Sequence, residues 1–169
     1  VSIASLEPEI KRLTLTVNGE SKAYSMTGWR IGYAGGDQQV IKAMSKIQSH
    51  STSNPTSIAQ AASVAALRGS QECVKMMRSE FNRRREYMCD KLNSMNGVSC
   101  LMPNGAFYVF ANVSRLFGKS IDGEIIDGSD SLARLLLEKG KVAVVPGLGF
   151  GSDAHIRLSY ATSMDTIVK

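Results

Sequence analysis

The sequence predicts an α/β fold in two parts: the end of a larger sheet domain over residues 1–80, then a smaller α+β domain over residues 81–169. Three observations predict it. Short strand-like and helical segments follow one another through residues 13–69. One uninterrupted helical pattern then runs over residues 71–95, long enough to connect two bodies. After Gly97 the texture changes, and short strands around glycine turns replace long helices.

The elements read as follows. "LTLTVN" (13–18) alternates, carries β-branched residues and ends at Asn18-Gly19, which predicts a strand. "RIGYAGG" (30–36) is a second short strand closed by Gly35-Gly36. Asp37 is a helix N-cap for "QQVIKAMSKIQSH", whose Val40, Ile41, Met44 and Ile47 have helical spacing. After the polar break "STSNPTS", Pro55 admits a new helix, "IAQAASVAALRG", whose small residues suit tight packing. Gly69 stops it, and Ser70 caps the long helix that ends at Asn96-Gly97. "VSCLMPNGAFYVFANV" (98–113) reads as two strands around a Pro103-Asn104-Gly105 turn. "DGEIIDGSD" is a polar loop, "SLARLLLEKG" a helix, "VAVVPG" a buried-type strand and "HIRLSYA" another. "MDTIVK" reads as the first turns of a last helix.

Composition narrows the function classes. A chain of 169 residues suffices for one ordinary domain or parts of two, and 43% hydrophobic residues argue against disorder. No apolar run approaches a membrane span, and "VSIASLEPEI" is no signal peptide. The first residue is not methionine, so the chain is expected to begin inside something longer or processed. Cys73, Cys89 and Cys100 form no C-x-x-C pair and fit reduced thiols in the cytoplasm. His50 and His155 lack ligand spacing, so no metal site is expected. The net charge of +5 raises the question of nucleic acid. However, Arg83-Arg84-Arg85 lies in a helical pattern beside Glu80 and Glu86 and reads as a solvated face. No nucleic-acid or membrane partner is expected, and the remaining positive charge suits small anions.

Two motifs fail. "GKS" (118–120) would need glycine at position 113 to complete a phosphate loop, and Val113 stands there. "GLGFG" (147–151) has Ser152 where a dinucleotide fingerprint needs its last glycine, and a strand follows. Nothing surrounds Ser21 or Ser25 like a nucleophile elbow.

"SKAYSMTGWRIGYAGG" (21–36) holds better. Considered alone, Lys22 would be a surface lysine. It stands just past a strand end, where α/β proteins collect their chemistry. A held, partly desolvated lysine amine can form a Schiff base with a carbonyl. Arg30 offers a planar fork for phosphate or carboxylate, and Gly28 lets an anion approach the backbone.

This segment resembles the cofactor-attachment segment of class I pyridoxal-phosphate aminotransferases of the aspartate aminotransferase kind. Ser21-Lys22, Met26, Gly28, Arg30 and Gly32 fall at the family's spacing. "PNGAFYVF" (103–110), "VAVVPGLGFG" (142–151) and "IRLSYATS" (156–163) resemble its small domain, in the same order. The resemblance implies a fold-type I transferase with pyridoxal 5'-phosphate as cofactor. It implies that Lys22 forms the Schiff base and moves a proton at the substrate's Cα. Arg30 would hold the cofactor phosphate, with Ser21 a weaker candidate there, and Arg157 would grip the substrate α-carboxylate. Tyr24 and Trp29 are expected to be packing residues. One position departs: the family usually has a small or apolar residue where Glu20 stands. Turned inward, a carboxylate there would favour the charged form of the lysine. Glu20 is therefore expected to face solvent.

The resemblance also implies that the chain is a C-terminal portion. In the family, the N-terminal half supplies a phosphate turn, a ring stacked on the cofactor, and an asparagine and a tyrosine at its 3' oxygen. It also supplies the aspartate at the pyridine nitrogen. The sequence contains none of these segments, so the chain is expected to be inactive alone. The family builds each site from two subunits, which implies a homodimer of the full-length protein. The implied substrates are an amino acid, aspartate or glutamate first, and a 2-oxo acid. Alternatives are another fold-type I enzyme, acting on aromatic amino acids or alanine or cleaving C–S bonds, and a regulator with an aminotransferase-like sensor domain.

Overall fold

The structure, a computed structural model, describes residues 1–169. The chain divides into two compact units, Val1–Met76 and Met77–Lys169.

The first unit contains helix α1 (Pro8–Arg12), strand β1 (Thr16–Gly19), the single helical turn α2 (Glu20–Ala23), strand β2 (Gly32–Gly35), and helices α3 (Gln38–Ser51) and α4 (Ser57–Arg68). Strand β1 begins three residues later than the alternation suggested, because Leu13 ends α1 and Thr14 Oγ1 donates back to Ile10 O at 2.6 Å. β1 and β2 pair antiparallel, from Thr16↔Gly35 to Gly19↔Gly32. A Cβ at Gly32 would lie 2.8 Å from Asn18 O, so this pairing requires glycine there. Asp37 caps α3, its Oδ1 accepting from Gln39 N at 2.8 Å. Thr56 caps α4, and Gly69 closes it with its N–H on Ala65 O. The small face of α4 is buried at Ala59 and Ser63, whereas α3 buries no residue.

Helix α5 (Glu72–Ser94) runs from the first unit into the second. Ser70 Oγ accepts from Glu72 N at 3.3 Å at its start. The arginine run is less solvated than its composition suggested. Arg83 is exposed, but Arg84 is largely covered and Arg85 donates through Nη1 to Pro103 O at 2.8 Å.

The second unit is built on a four-stranded antiparallel sheet in the order β3 (Ser99–Cys100), β4 (Tyr108–Asn112), β8 (His155–Ser159), β7 (Val145–Pro146). One face carries Val109, Ala111 and Ile156 into a core shared with Cys89 and Leu92 of α5 and with Leu132 and Leu135 of α6 (Ser129–Glu138). Buried Tyr160 completes it and donates from its hydroxyl to Ala106 O at 3.1 Å. That contact braces the 103–107 turn, in which Ala106 is left-handed at φ 60°. The "DGEIIDGSD" segment is not a plain loop. It contains half of a small hairpin, β5 (Ser120–Ile121) with β6 (Glu124–Ile125), turned by Asp122 and Gly123, both at positive φ. "VAVVPG" gives only the two-residue β7, with Val145 exposed. The chain then turns into a 3₁₀ helix, Gly147–Phe150. Asp153 caps α6 from the far side of that turn. Its Oδ1 accepts from Ser129 Oγ at 2.7 Å and Ser129 N at 2.9 Å, and these bonds hold its carboxyl below the usual range. The last helix, α7 (Met164–Val168), is capped by Ser163.

Candidate functional site

Residues 20–31 leave the β1–β2 hairpin and return to it, and the Gly19↔Gly32 pair closes the loop at its base. Ser21 and Lys22 lie on α2, and Arg30 follows the 3₁₀ turn Thr27–Trp29. The sequence-predicted Ser21, Lys22 and Arg30 therefore share one loop. Lys22 and Arg30 are exposed on it, and Ser21 is half-buried. Two non-glycine residues of this loop are left-handed, Ser25 at φ 54° and Arg30 at φ 50°. Such residues are uncommon and cost energy, so the surrounding contacts must hold them. Arg30 Nη1 donates to Thr27 O at 2.9 Å, which folds the side chain back along its own turn. Buried Met26 anchors the middle of the loop. Tyr24 packs as expected, its hydroxyl donating to Gln71 Oε1 at 2.8 Å. Trp29 does not, being 45% exposed.

Glu20 overturns the expectation that it faces solvent: it is completely buried. Ser63 Oγ of α4 donates to its Oε1 in a short hydrogen bond, while Oε2 meets no partner. As the first residue of α2, with its side chain turned against the small face of α4, it fixes the start of the lysine turn. The alternation of the strand before it gave no sign of this direction.

Arg157 belongs to the second unit. It lies on β8, opposite Phe110 of β4 and Val145 of β7, on the sheet face turned away from the core. Its guanidinium carbon lies over two rings, 4.4 Å from the Tyr108 centroid and 4.5 Å from that of Phe150. It has no carboxylate partner. Sequence reasoning passed over Tyr108 and Phe150. The alternation in "FYVF" could have placed Tyr108 on the face of Arg157, but nothing local connects Phe150 to it. No group of His, Cys, Asp and Glu side chains could hold a metal ion. No helix is long and apolar enough to cross a membrane.

The model of the aminotransferase class I and II family matches residues 1–168. The chain belongs to this family. Among relatives of this aminotransferase chain, the aspartate aminotransferase of Geobacillus stearothermophilus is 50% identical over 167 residues, covering 99% of this chain and 42% of the relative. The crystal structure of the aspartate aminotransferase from Rhizobium meliloti superposes with a TM-score of 0.93 at 49% identity, over 99% of this chain and 42% of that one. The aromatic aminotransferase from Pyrococcus horikoshii OT3 gives 0.84 at 36% identity, over 98% and 43%. This aminotransferase chain thus has the fold-type I architecture expected of it, and it spans about two fifths of the length of the relatives it matches.

Proposed function

We propose that the full-length protein is a pyridoxal-phosphate-dependent aminotransferase that moves an amino group between a dicarboxylic amino acid, aspartate or glutamate, and a 2-oxo acid. The observation that carries this reading is the closed 20–31 loop. It presents a primary amine and a guanidinium together, at a strained turn, in a chain of the aminotransferase family.

The donor set of the loop suits pyridoxal phosphate. A Cβ at Gly28 would meet nothing within 4 Å, so packing within this chain does not demand glycine there, and the space beside the backbone is open. Arg30 spends one N–H on Thr27 O and keeps the rest of its fork for a phosphate. Lys22 is exposed, so its amine can reach a carbonyl. When bound, the cofactor supplies the electron sink for chemistry at the substrate's Cα. Lys22 would hold it through Nζ, and the same amine would move the proton at the substrate's Cα. Arg30 would pair with the phosphate, and the Ser21 hydroxyl would donate at the same end. Arg157 orients the substrate by a bidentate pair with its α-carboxylate.

The family resemblance supports a homodimer, and three free thiols suit a reducing cytoplasm. A second reading, transfer from aromatic amino acids, has the likeness to the Pyrococcus enzyme in its favour. Amino-donor rates with aspartate and with tyrosine separate the two. The test of the main reading is borohydride reduction of the cofactor-loaded, full-length protein followed by peptide mapping. The adduct is expected on Lys22, and Lys22→Ala is expected to abolish transamination. An adduct on Lys42 or Lys46 instead would overturn the assignment.

A further inference from the structure

We propose that Tyr108 and Phe150 are positioning residues, which hold the Arg157 guanidinium by its faces and leave its N–H edge free for the substrate carboxylate. The inference rests on the reading of Arg157 given above.

A guanidinium can be held in two ways. A carboxylate partner takes the in-plane N–H fork, which a second carboxylate would then have to displace. An aromatic ring takes the face of the plane instead, attracted through its quadrupole, and leaves the fork unoccupied. The contacts of Arg157 point to the second way. Its guanidinium carbon lies 4.4 Å from the Tyr108 centroid and 4.5 Å from that of Phe150, well inside the distance at which such contacts act. None of its guanidinium N–H groups donates to a side chain or carbonyl of the chain. A positive charge that binds anions thus has no acidic competitor.

The rings are themselves braced. Phe150 meets Phe110 edge-on, with centroids 6.1 Å apart and planes at 88°. Phe110 stacks on His155 at 4.6 Å and 6°. The His155 ring is tied in turn to Ser152, Nδ1 to Oγ at 2.7 Å. On the other side Tyr108 follows the braced 103–107 turn and packs against Phe107 at 4.4 Å. The register places Phe110 directly opposite Arg157 and Tyr108 one step diagonal to it. The arginine's orientation is therefore set before substrate arrives, and less ordering entropy is lost on binding.

The experiment uses full-length, cofactor-loaded protein carrying Tyr108→Leu, Phe150→Leu, both together, Tyr108→Phe, and Arg157→Leu as reference. Leucine keeps apolar bulk but has no quadrupole. Each leucine variant is expected to raise KM for the amino acid about five- to tenfold with kcat within about twofold. Tyr108→Phe is expected to restore KM. Single turnover with a primary amine that lacks the α-carboxylate should be unchanged in all the ring variants. Should Tyr108→Leu fail to bind cofactor, the half-exposed Phe150→Leu decides alone. If the leucine variants leave KM unmoved while Arg157→Leu raises it, the proposal is wrong. It is equally wrong if they slow the carboxylate-free amine as much as the amino acid, since the rings would then be general scaffolding. If Arg157→Leu itself leaves KM unchanged, the reading of Arg157 fails, and the proposal with it.

Discussion

Glu20 shows what one buried carboxyl group does to a site. It is completely covered, and its only partner is Ser63 Oγ. The orphaned Oε2 means that this contact cannot be a large net stabiliser, because an unpaired buried oxygen carries its desolvation cost undiminished. Removing the serine hydroxyl strands both oxygens, so Ser63→Ala is expected to destabilise by about 1–3 kcal/mol. Replacing both partners by apolar groups removes the conflict, so Glu20→Val with Ser63→Ala should lose much less than the sum of the single changes. Urea unfolding of the full-length protein measures all three; additive losses would show that the pair is not coupled. At this scale residue type and spacing single out Lys22, Arg30 and Arg157 as the residues to test, and the structure places Lys22 and Arg30 on one exposed loop. The sequence was not legible for the direction of Glu20. That is decided by α4, more than thirty residues downstream, whose Ser63 offers a donor where a larger side chain would have excluded the carboxyl.

Elements whose ends are fixed locally were read correctly, and those fixed by distant contacts were not. Asp37, Gly69 and Ser70 mark helix ends with their own hydrogen bonds, and α3, α4 and α5 follow from them. The four-residue apolar run in "VAVVPG" looks like a buried strand, yet only Val145 and Pro146 pair. The following turn is set by Gly147, where a Cβ would come within 2.3 Å of the carbonyl oxygens of Ser152 and His155. The hairpin at 120–125 was hidden by its polar composition. Helix α5 carries its own pH dependence. Glu80 accepts hydrogen bonds from Arg83 and Arg84, each at 2.9 Å, and these hold its carboxyl at about 2. A depressed carboxyl stabilises the fold above the ordinary value near 4.5 and loses that contribution as pH falls from there toward about 2. The urea midpoint of the parent should therefore fall more between pH 5 and pH 3 than that of Glu80→Gln. Parallel falls would mean that the helix pairs are too screened to matter.

At the scale of the whole molecule, the two units differ in how much core they own. The second buries a continuous set from Cys89 to Tyr160. In the first, only Met26 and Ala59 are buried among apolar side chains, while Val17, Val40, Ile47, Ile58 and Val64 are exposed. The candidate cofactor loop belongs to the unit with the smaller core. Residues 1–169 by themselves are therefore expected to lack transaminase activity and to bind pyridoxal phosphate weakly. Lys22 and Arg30 are both exposed, and an exposed ion pair is worth only about 1 kcal/mol or less, too little to hold a phosphate dianion. The family resemblance assigns the stacking ring, the phosphate turn and the acid at the pyridine nitrogen to segments this sequence does not contain. Without that acid the ring nitrogen is not kept protonated, and the cofactor is a poor electron sink. Lys22 can still condense slowly with free cofactor, as exposed lysines do. Titration of the purified chain with pyridoxal phosphate should give a weak, non-saturating visible absorbance. Turnover of aspartate with 2-oxoglutarate should not exceed that of cofactor in buffer. Saturable binding at micromolar cofactor with turnover above that background would show that the chain does not need the further segments, and that the buried contacts of the first unit hold the 20–31 loop better than their small number suggests.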